Sequence, residues 1–252
     1  MSKIAIISGR YPNTTFDSVT NHKVYADKFG YHYIHCNWPT NEKNRYMNKI
    51  CFIQAYFDLF DYIIWLDDDA FFWDFEKDIM DFAPKNEHFL SICKSPNFKN
   101  LKTYFSSGQF IIKTNDRAKE FLDSVLTLEM EIVKKWWNHD LGYFTNGDQD
   151  LMTYLALSDN RFSNKLSLYN YKYFNSRVEN LISEDVHIPL ILHFTGTVDV
   201  KIRNYAWVQQ EYRLHSSLIS DKYLANYNIF RKKNEKSISK KIIAKFRLWL
   251  RL

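Results

Sequence analysis

Glycine is scarce in this 252-residue sequence, which contains only six. No two of them are two positions apart, so the G-x-G-x-x-G fingerprint of dinucleotide-binding folds is missing. Gly142 and Gly147 have the spacing of a P-loop, but Asp148 and Gln149 stand where that loop needs a lysine and a hydroxyl residue. The glycines therefore exclude a Rossmann dehydrogenase and a P-loop NTPase.

Cysteines and long apolar runs are scarce as well. The three cysteines, at 36, 51 and 93, share no short spacing, so neither a zinc site nor a disulfide framework is predicted, and a reducing compartment fits. The apolar run Ile4–Ile7 is too short for a signal peptide. No window approaches the roughly 18–20 apolar residues of a membrane span. We expect a soluble or peripheral protein.

Positive charge is concentrated at one end of the sequence. Residues 231–252 hold nine basic residues and one acidic residue, a charge of +8, which leaves −3 for the rest of a chain whose net charge is +5. A mildly acidic body argues against a nucleic-acid partner. We expect a domain at 1–230 followed by a separate basic tail at 231–252.

The basic tail also has an apolar pattern. Its apolar residues recur at helical spacing, at Ile238, Ile242, Phe246 and Trp249. This pattern predicts an amphipathic helix that binds an anionic membrane surface. A solvated terminal helix packed on the body and a disordered basic end are the alternatives.

Apolar strands alternate with helical segments along the body. The predicted strands are Lys3–Ser8, Tyr31–Cys36, Tyr62–Leu66, Phe89–Cys93, Gln109–Lys113 and Pro189–Phe194. The predicted helices are Asn21–Phe29, which ends at Gly30, Tyr46–Phe60, Ala118–Trp137 and Asp150–Leu157. The alternation predicts an α/β fold with a mainly parallel sheet, in which ligands lie beyond the carboxyl ends of the strands. The loops after Ser8, Leu66 and Phe194 are therefore the candidate site, whereas the region from about Tyr205 onward has weaker periodicity.

Three consecutive aspartates follow the wholly apolar strand Tyr62–Leu66. Crowded carboxylates are costly without a cation. Alternation along an extended chain directs Asp67 and Asp69 to one side and Asp68 to the other. Two carboxylates at a strand end suit a hard divalent cation, although an acidic loop that caps a helix is the alternative.

His193 leaves another apolar strand and is followed by Thr195 and Gly196 after Phe194. A histidine in this place is commonly a hydrogen-bonded core residue, but a glycine nearby lets the backbone approach a ligand closely. Two carboxylates and an imidazole suit Mn²⁺ or Mg²⁺ better than zinc. Lys201, a few residues further on, is a candidate contact for a diphosphate or a surface charge.

Two further segments carry weaker signals. Thr145–Asp150 opens a helix. The simplest interpretation is that Asp148 or Asp150 caps this helix. The functional interpretation is that Gln149 or Asp150 contacts a sugar. Ser106–Phe110 is a turn of small residues that leads into a strand.

Four segments together resemble the retaining GT-A glycosyltransferases of family 34, which transfer galactose, mannose or xylose. They are Trp65–Ala70 for W-x-D-S-D-A, Ser106–Asn115 for N-x-G-x-F-L-x-R-N, Asp148–Met152 for D/E-Q-D/S-A-L, and His193–Gly196 for H-F-x-G. Asn21–Ala26 before Phe29–Tyr31 is similar to the family's N-K-x-x-Y-A…G-Y start. The resemblance covers roughly residues 3–205.

The resemblance implies a GT-A fold, a nucleotide-diphosphate sugar donor and a metal. It assigns the metal to Asp67, Asp69 and His193, and the anomeric carbon to Gln149 and Asp150, with Asp148 beside them. The candidate donor-binding residues are Ser8, Lys49, Asp68, Gly108, Gly196 and Lys201. The chain departs from the family pattern in two places, because Ser106 replaces an asparagine and Val198 replaces a basic residue.

The expected function is therefore transfer of a hexose from a UDP-sugar, UDP-galactose or a similar donor, to a surface glycan or glycolipid, with retention. Retention would follow from same-face attack or from a covalent carboxylate adduct. The expected location is the cytoplasmic face of a bacterial inner membrane. A sugar-nucleotide nucleotidyltransferase and a catalytically inactive membrane-surface scaffold are the competing hypotheses.

Overall fold

The computed structural model describes residues 2–12, 16–97, 102–182 and 188–230. Its strands in chain order are β1 (Ile4–Gly9), β2 (His32–Cys36), β3 (Tyr62–Leu66), β4 (Ala70–Phe72), β5 (Leu90–Lys94), β6 (Phe105–Lys113), β7 (Leu166–Tyr169) and β8 (Ile191–His193). Its helices are α1 (Ser18–Phe29), α2 (Asn48–Ala55), α3 (Asp116–Thr127), α4 (Met130–Trp136), α5 (Asp148–Ser158), α6 (Tyr171–Phe174), α7 (Val198–Glu211) and α8 (Asp221–Leu224).

The large sheet has the strand order β2-β1-β3-β6-β5-β7, and β4 pairs with β8 in a separate two-stranded sheet. In the large sheet only β6 runs antiparallel to its neighbours, β3 and β5. The mainly parallel sheet predicted from the sequence is thus confirmed. The reversed direction of β6 follows from its connection to β5, which is short enough to join neighbouring antiparallel strands.

Helices cover both faces of this sheet. On one face α2, α3, α4 and α5 pack against alternate strand residues such as Ile63 and Trp65. On the other face α1 packs against Ile64 and Leu66. Because β3 is buried on both faces, its sequence is apolar throughout, and its predicted bounds are confirmed.

The helix predictions are confirmed in part. Helix α1 ends at Gly30, which adopts a left-handed conformation with φ of 70°, as the predicted C-cap requires. The single long helix predicted for Ala118–Trp137 is wrong, because Leu128 is extended and separates α3 from α4. Helical spacing of apolar residues continues across the break, so periodicity alone does not reveal it. Helix α2 is also shorter than predicted and is flanked by 3-10 turns.

Two observations concern the membrane predictions. Among the residues that the structure describes, no helix is both long enough and apolar enough to cross a membrane. The basic tail at 231–252 lies outside the described residues, so its amphipathic helix and the domain boundary at 230 stay predictions.

Candidate active site

The small sheet brings the acidic segment and His193 together. Ala70 of β4 pairs with His193 of β8, and the amide of Phe194 donates to the Asp69 carbonyl at 2.9 Å. On the other side, the Asp67 amide donates to the carbonyl of Gly108 on β6 at 2.7 Å. The three segments therefore meet at the carboxyl end of β3, where the sequence predicted a ligand site.

Asp67, Asp69 and His193 form a cluster of candidate metal ligands. One ligand atom from each residue lies within 4.8 Å of the others. His193 Nε2 is 3.2 Å from Asp69 Oδ1. The Asp67 side chain is fixed by the Trp65 indole, whose Nε1 donates to its Oδ1 at 2.8 Å. The structure thus brings together two aspartates and a histidine that follow different strands in the sequence, and their role as metal ligands stays a prediction.

Burial and neighbouring charges shift the pKa of each residue in this cluster. Burial acts to raise the pKa of Asp69, but His193 and Lys201 lower it by more. Burial raises the pKa of Asp67, and the neighbouring Asp69 raises it further, although Lys49 opposes the shift. Burial lowers the pKa of His193, which favours a neutral ring able to act as a ligand. Within the described residues, Asp69 Oδ1 accepts no hydrogen bond, although it lies in a buried position.

The packing around the cluster also fits a metal ion. A Cβ atom added to Gly108 would lie 2.4 Å from His193 Cε1 and 3.2 Å from Asp67 Oδ2. Glycine is therefore required here for space between a strand and two ligand side chains. Two carboxylates and a neutral imidazole are a donor set that suits Mn²⁺ or Mg²⁺. The residues present thus fit a divalent cation.

Lys49 forms a second charged centre next to the cluster. Its Nζ is 3.0 Å from Asp148 Oδ2 and 3.2 Å from Asp67 Oδ1, and it donates to the Ser107 carbonyl at 2.7 Å. Burial lowers the pKa of Lys49, but Asp148 and Asp67 raise it by more, so the net shift is upward. Lys49 is therefore a buried ammonium group that joins α2, β3 and α5.

A cavity of about 620 Å³ unites the cluster with most of the other predicted residues. The predicted residues that line it are Lys49, Asp67, Asp68, Asp69, Gly108, Asp148, Gln149, His193, Gly196 and Lys201. The volume lies within the usual range for small-molecule sites. The first residues of α2 and α5 and the N-cap of α7, Thr197, border the cavity. Helix N-termini favour bound anions.

Several of these residues pair with one another. Lys201 Nζ forms an ion pair with Asp69 Oδ2, and Arg10 Nη1 lies 3.5 Å from Asp68 Oδ1. Gln149 Oε1 accepts a hydrogen bond from the Ser107 amide at 3.2 Å. Gly196 has φ of 106°, which favours glycine at the turn between β8 and α7.

Two predicted site residues lie away from the cavity. The Ser8 hydroxyl is buried in β1, 2.9 Å from the Tyr33 hydroxyl. The Asp150 carboxylate bends back to the start of α5, where its Oδ2 accepts from the Asn146 amide at 2.6 Å and from Thr145 Oγ1 at 3.0 Å. Asp150 therefore caps its own helix, which is the simpler of its two sequence interpretations. Burial raises the pKa of Asp150 to about 6.

The sequence patterns missed several residues of the cavity. Arg10 and Tyr11 follow β1 at the expected edge of the sheet, so their position was a usable signal. Arg45 and Tyr46 precede α2, and Arg177 lies in a polar stretch before β8. Nothing in the sequence around Arg177 indicates that it lies beside His193.

Comparison with known proteins identifies the fold. No protein-family model matches the chain, and no curated protein matches it in sequence. A crystal structure of a glycosyltransferase involved in glycosylation of the major capsid of PBCV-1 superposes with a TM-score of 0.61 at 15% identity, over 81% of this chain and 99% of that one. The glycosyltransferase GlyE of Streptococcus pneumoniae TIGR4 superposes with a TM-score of 0.53 at 14% identity, over 90% of this chain and 64% of that one. The chain has the GT-A fold.

Proposed function

We propose that this chain is a divalent-metal-dependent glycosyltransferase that moves a hexose from a nucleotide-diphosphate sugar to a glycan or glycolipid acceptor. The proposal rests on the cluster of Asp67, Asp69 and His193, which lines a cavity at the carboxyl end of a GT-A sheet. The glycosyltransferases that share the fold support it. A UDP-hexose, for example UDP-galactose, is the proposed donor.

Asp67, Asp69 and His193 would hold Mn²⁺ or Mg²⁺. When bound, the cation supplies Lewis-acid stabilisation of the negative charge that develops on the departing β-phosphate. A dedicated general acid for the leaving group is then unnecessary.

The chain's own residues would bind the rest of the diphosphate. Lys201 lies on the first turn of α7, and Lys49 on the first turn of α2, so each ammonium group acts together with a helix N-terminus. Arg10 adds a guanidinium at the end of β1. Asp68, Gly108 and Gly196 are also proposed to line the donor site. Ser8 is proposed to support this site from within β1, without direct contact with the donor.

The start of α5 would face the reacting sugar. We assign Gln149 and Asp148 to the anomeric carbon because both line the cavity beside Ser107. Asp150 would hold the preceding loop in place through its hydrogen bonds to Thr145 and Asn146. We propose retention of configuration, by same-face attack or by a covalent carboxylate adduct.

A panel of nucleotide sugars tests this proposal. Purified protein is incubated with each sugar and with or without Mn²⁺, and released UDP or GDP is measured. We expect metal-dependent release from a UDP-hexose, and its loss in the Asp67→Asn/Asp69→Asn double variant. Asp58→Asn is the matched control, because Asp58 is exposed, pairs with Lys119 at 3.8 Å and does not line the cavity.

Two other outcomes would contradict the proposal. Release of pyrophosphate from a sugar phosphate and a nucleoside triphosphate would indicate a nucleotidyltransferase. Mn²⁺-dependent binding of UDP-sugars with no release in the presence of any tested glycan or glycolipid would indicate an inactive scaffold.

We propose separately that the tail at 231–252 holds the enzyme on an anionic membrane surface, at the cytoplasmic face of a bacterial inner membrane. Co-sedimentation with anionic vesicles compares the full chain with residues 1–230. We expect the shorter chain to lose vesicle binding and to keep hydrolysis of the free donor. Equal binding by both would refute the role of the tail.

A further inference from the structure

The segment Asn175-Ser176-Arg177 runs beside β8 and faces His193. Ser176 donates its amide to the Ile191 carbonyl at 3.1 Å and accepts the His193 amide at 2.8 Å. A parallel bridge between Ser176 and Leu192 holds this segment against β8. Asn175 and Arg177 flank Ser176, and both are buried.

Arg177 fixes which atom of the Asn175 amide faces it. Its Nη1 donates to the Asn175 carbonyl oxygen at 2.8 Å and also to Asn175 Oδ1. A guanidinium has only donors, so the side-chain oxygen of Asn175, and not its nitrogen, must face Arg177. The amide nitrogen points the other way and donates to the Lys94 carbonyl at 3.4 Å.

The orientation of Asn175 in turn fixes the proton of His193. Asn175 Oδ1 lies 3.0 Å from His193 Nδ1 and can only accept. Arg177 Nη1 also lies 3.3 Å from Nδ1, but its two hydrogens have nearer acceptors in the two oxygens of Asn175. The shorter contact, between Nδ1 and Asn175 Oδ1, therefore favours a proton on Nδ1 that the imidazole donates to Asn175.

A neutral ring that carries its proton on Nδ1 has a lone pair on Nε2. Nε2 lies 3.2 Å from Asp69 Oδ1, and no described residue donates a hydrogen bond to that oxygen. Nε2 and Asp69 Oδ1 are then two acceptors with no proton between them, and a metal ion could bind to both. The other tautomer would place a proton on Nε2 and would leave Nδ1 and Oδ1 as opposed acceptors at 3.0 Å.

We propose that Arg177 and Asn175 are positioning residues that fix the His193 tautomer with its proton on Nδ1, so that Nε2 is available to the metal. The inference rests on the proposed metal site. Arg177 acts indirectly: it donates hydrogen bonds that orient Asn175, and it does not contact the cation. Removing a residue that hydrogen-bonds to a metal ligand typically changes metal affinity by about 10–100-fold.

Paired substitutions separate hydrogen bonding from packing. Asn175→Asp keeps an acceptor toward Nδ1, whereas Asn175→Leu has a similar size and no acceptor. Each purified protein is titrated with Mn²⁺ in the absence of nucleotide sugar, and free Mn²⁺ is measured by electron paramagnetic resonance. The melting midpoint of each variant is also recorded. We expect Asn175→Leu to bind about 10–100-fold more weakly and Asn175→Asp to bind within a few-fold of the parent chain.

The same logic applies to Arg177. Arg177→Met should weaken Mn²⁺ binding because the Asn175 amide is then able to reverse, and Arg177→Lys should recover part of the loss. In protein labelled with ¹⁵N-histidine and free of metal, the ¹⁵N shifts of His193, assigned with His193→Ala, should show the proton on Nδ1 in the parent chain. In Asn175→Leu they should show a mixture of tautomers.

Four results would contradict the proposed tautomer role or the metal site. Equal Mn²⁺ affinity in Asn175→Leu and Asn175→Asp, or a parent chain with the proton on Nε2, would refute the tautomer role. If His193→Ala weakens Mn²⁺ binding while Asn175→Leu does not, the metal site stands and only this inference fails. If His193→Ala binds Mn²⁺ as the parent does, the proposed metal site itself is wrong.

Discussion

Replacing Gly108 by alanine tests the metal site with a single added methyl group. The new Cβ would lie 2.4 Å from His193 Cε1 and 3.0 Å from His193 Nε2. Ordinary carbon–carbon contacts begin at about 3.5 Å, so the imidazole must move by about 1 Å. Gly108 has no left-handed φ, so the effect comes from this contact and not from backbone strain.

A displacement of about 1 Å is large for a metal ligand, because ligand distances are held within about 0.2 Å of their ideal values. Displacing a ligand should weaken binding more than removing a residue that hydrogen-bonds to a ligand, so we expect Mn²⁺ affinity to fall by about 100-fold or more. Overpacking of the buried site should also lower the free energy of unfolding by about 1–3 kcal/mol.

The assay is Mn²⁺ titration of the purified variant, with urea unfolding in parallel. Gly30→Ala is the control. Gly30 has φ of 70°, and no atom of the described residues lies within 4 Å of an added Cβ, so this variant should lose stability without losing metal affinity. Wild-type Mn²⁺ affinity in Gly108→Ala would refute the assigned geometry. Equal loss of affinity in both variants would show that general destabilisation is the cause.

Two further substitutions test the electrostatics. Lys49→Met leaves the carboxylates of Asp67 and Asp148 without their shared cation, so urea unfolding should show a free energy of unfolding lower by about 3 kcal/mol. Adding Asp148→Asn should restore part of this loss. Strictly additive losses in the double variant would refute the pairing. Burial lowers the pKa of His22 to about 4, and its Nε2 bonds to the Ala70 carbonyl at 2.7 Å. Below about pH 6.5 the unfolded chain therefore takes up a proton that the folded chain refuses, and stability should fall by about 3 kcal/mol between pH 6.5 and pH 4. His22→Gln should lack this part of the pH dependence. If the free energy of unfolding changes with pH to the same extent in both proteins, the prediction is wrong.

The sequence carried the central part of the fold because burial on two faces leaves a clear pattern. Tyr62–Leu66 is apolar throughout, and the strand has the predicted bounds. The direction of β6 is not encoded in its own residues, since an antiparallel and a parallel strand with two buried faces read alike. The three-residue strand β4 has no alternation to detect, and it becomes a strand only because β8 pairs with it.

Some residues of the candidate site were predictable from the sequence and others were not. Asp67, Asp69 and His193 were predictable because each follows an apolar strand and strand ends converge at one edge of a sheet. Asp150 was harder to judge, because a carboxylate at a helix start is equally suited to capping and to catalysis. Asn175 was invisible, since its role depends on a bridge to β8 that lies 16 residues further along the chain.

Crystals of the protein grown with Mn²⁺ and UDP, measured at a wavelength where manganese scatters anomalously, test the proposed metal site directly. We predict one strong anomalous peak bounded by carboxylate oxygens of Asp67 and Asp69 and by His193 Nε2, with the UDP diphosphate on its open side. A peak elsewhere, or UDP bound in the cavity with no peak among these three residues, would contradict it.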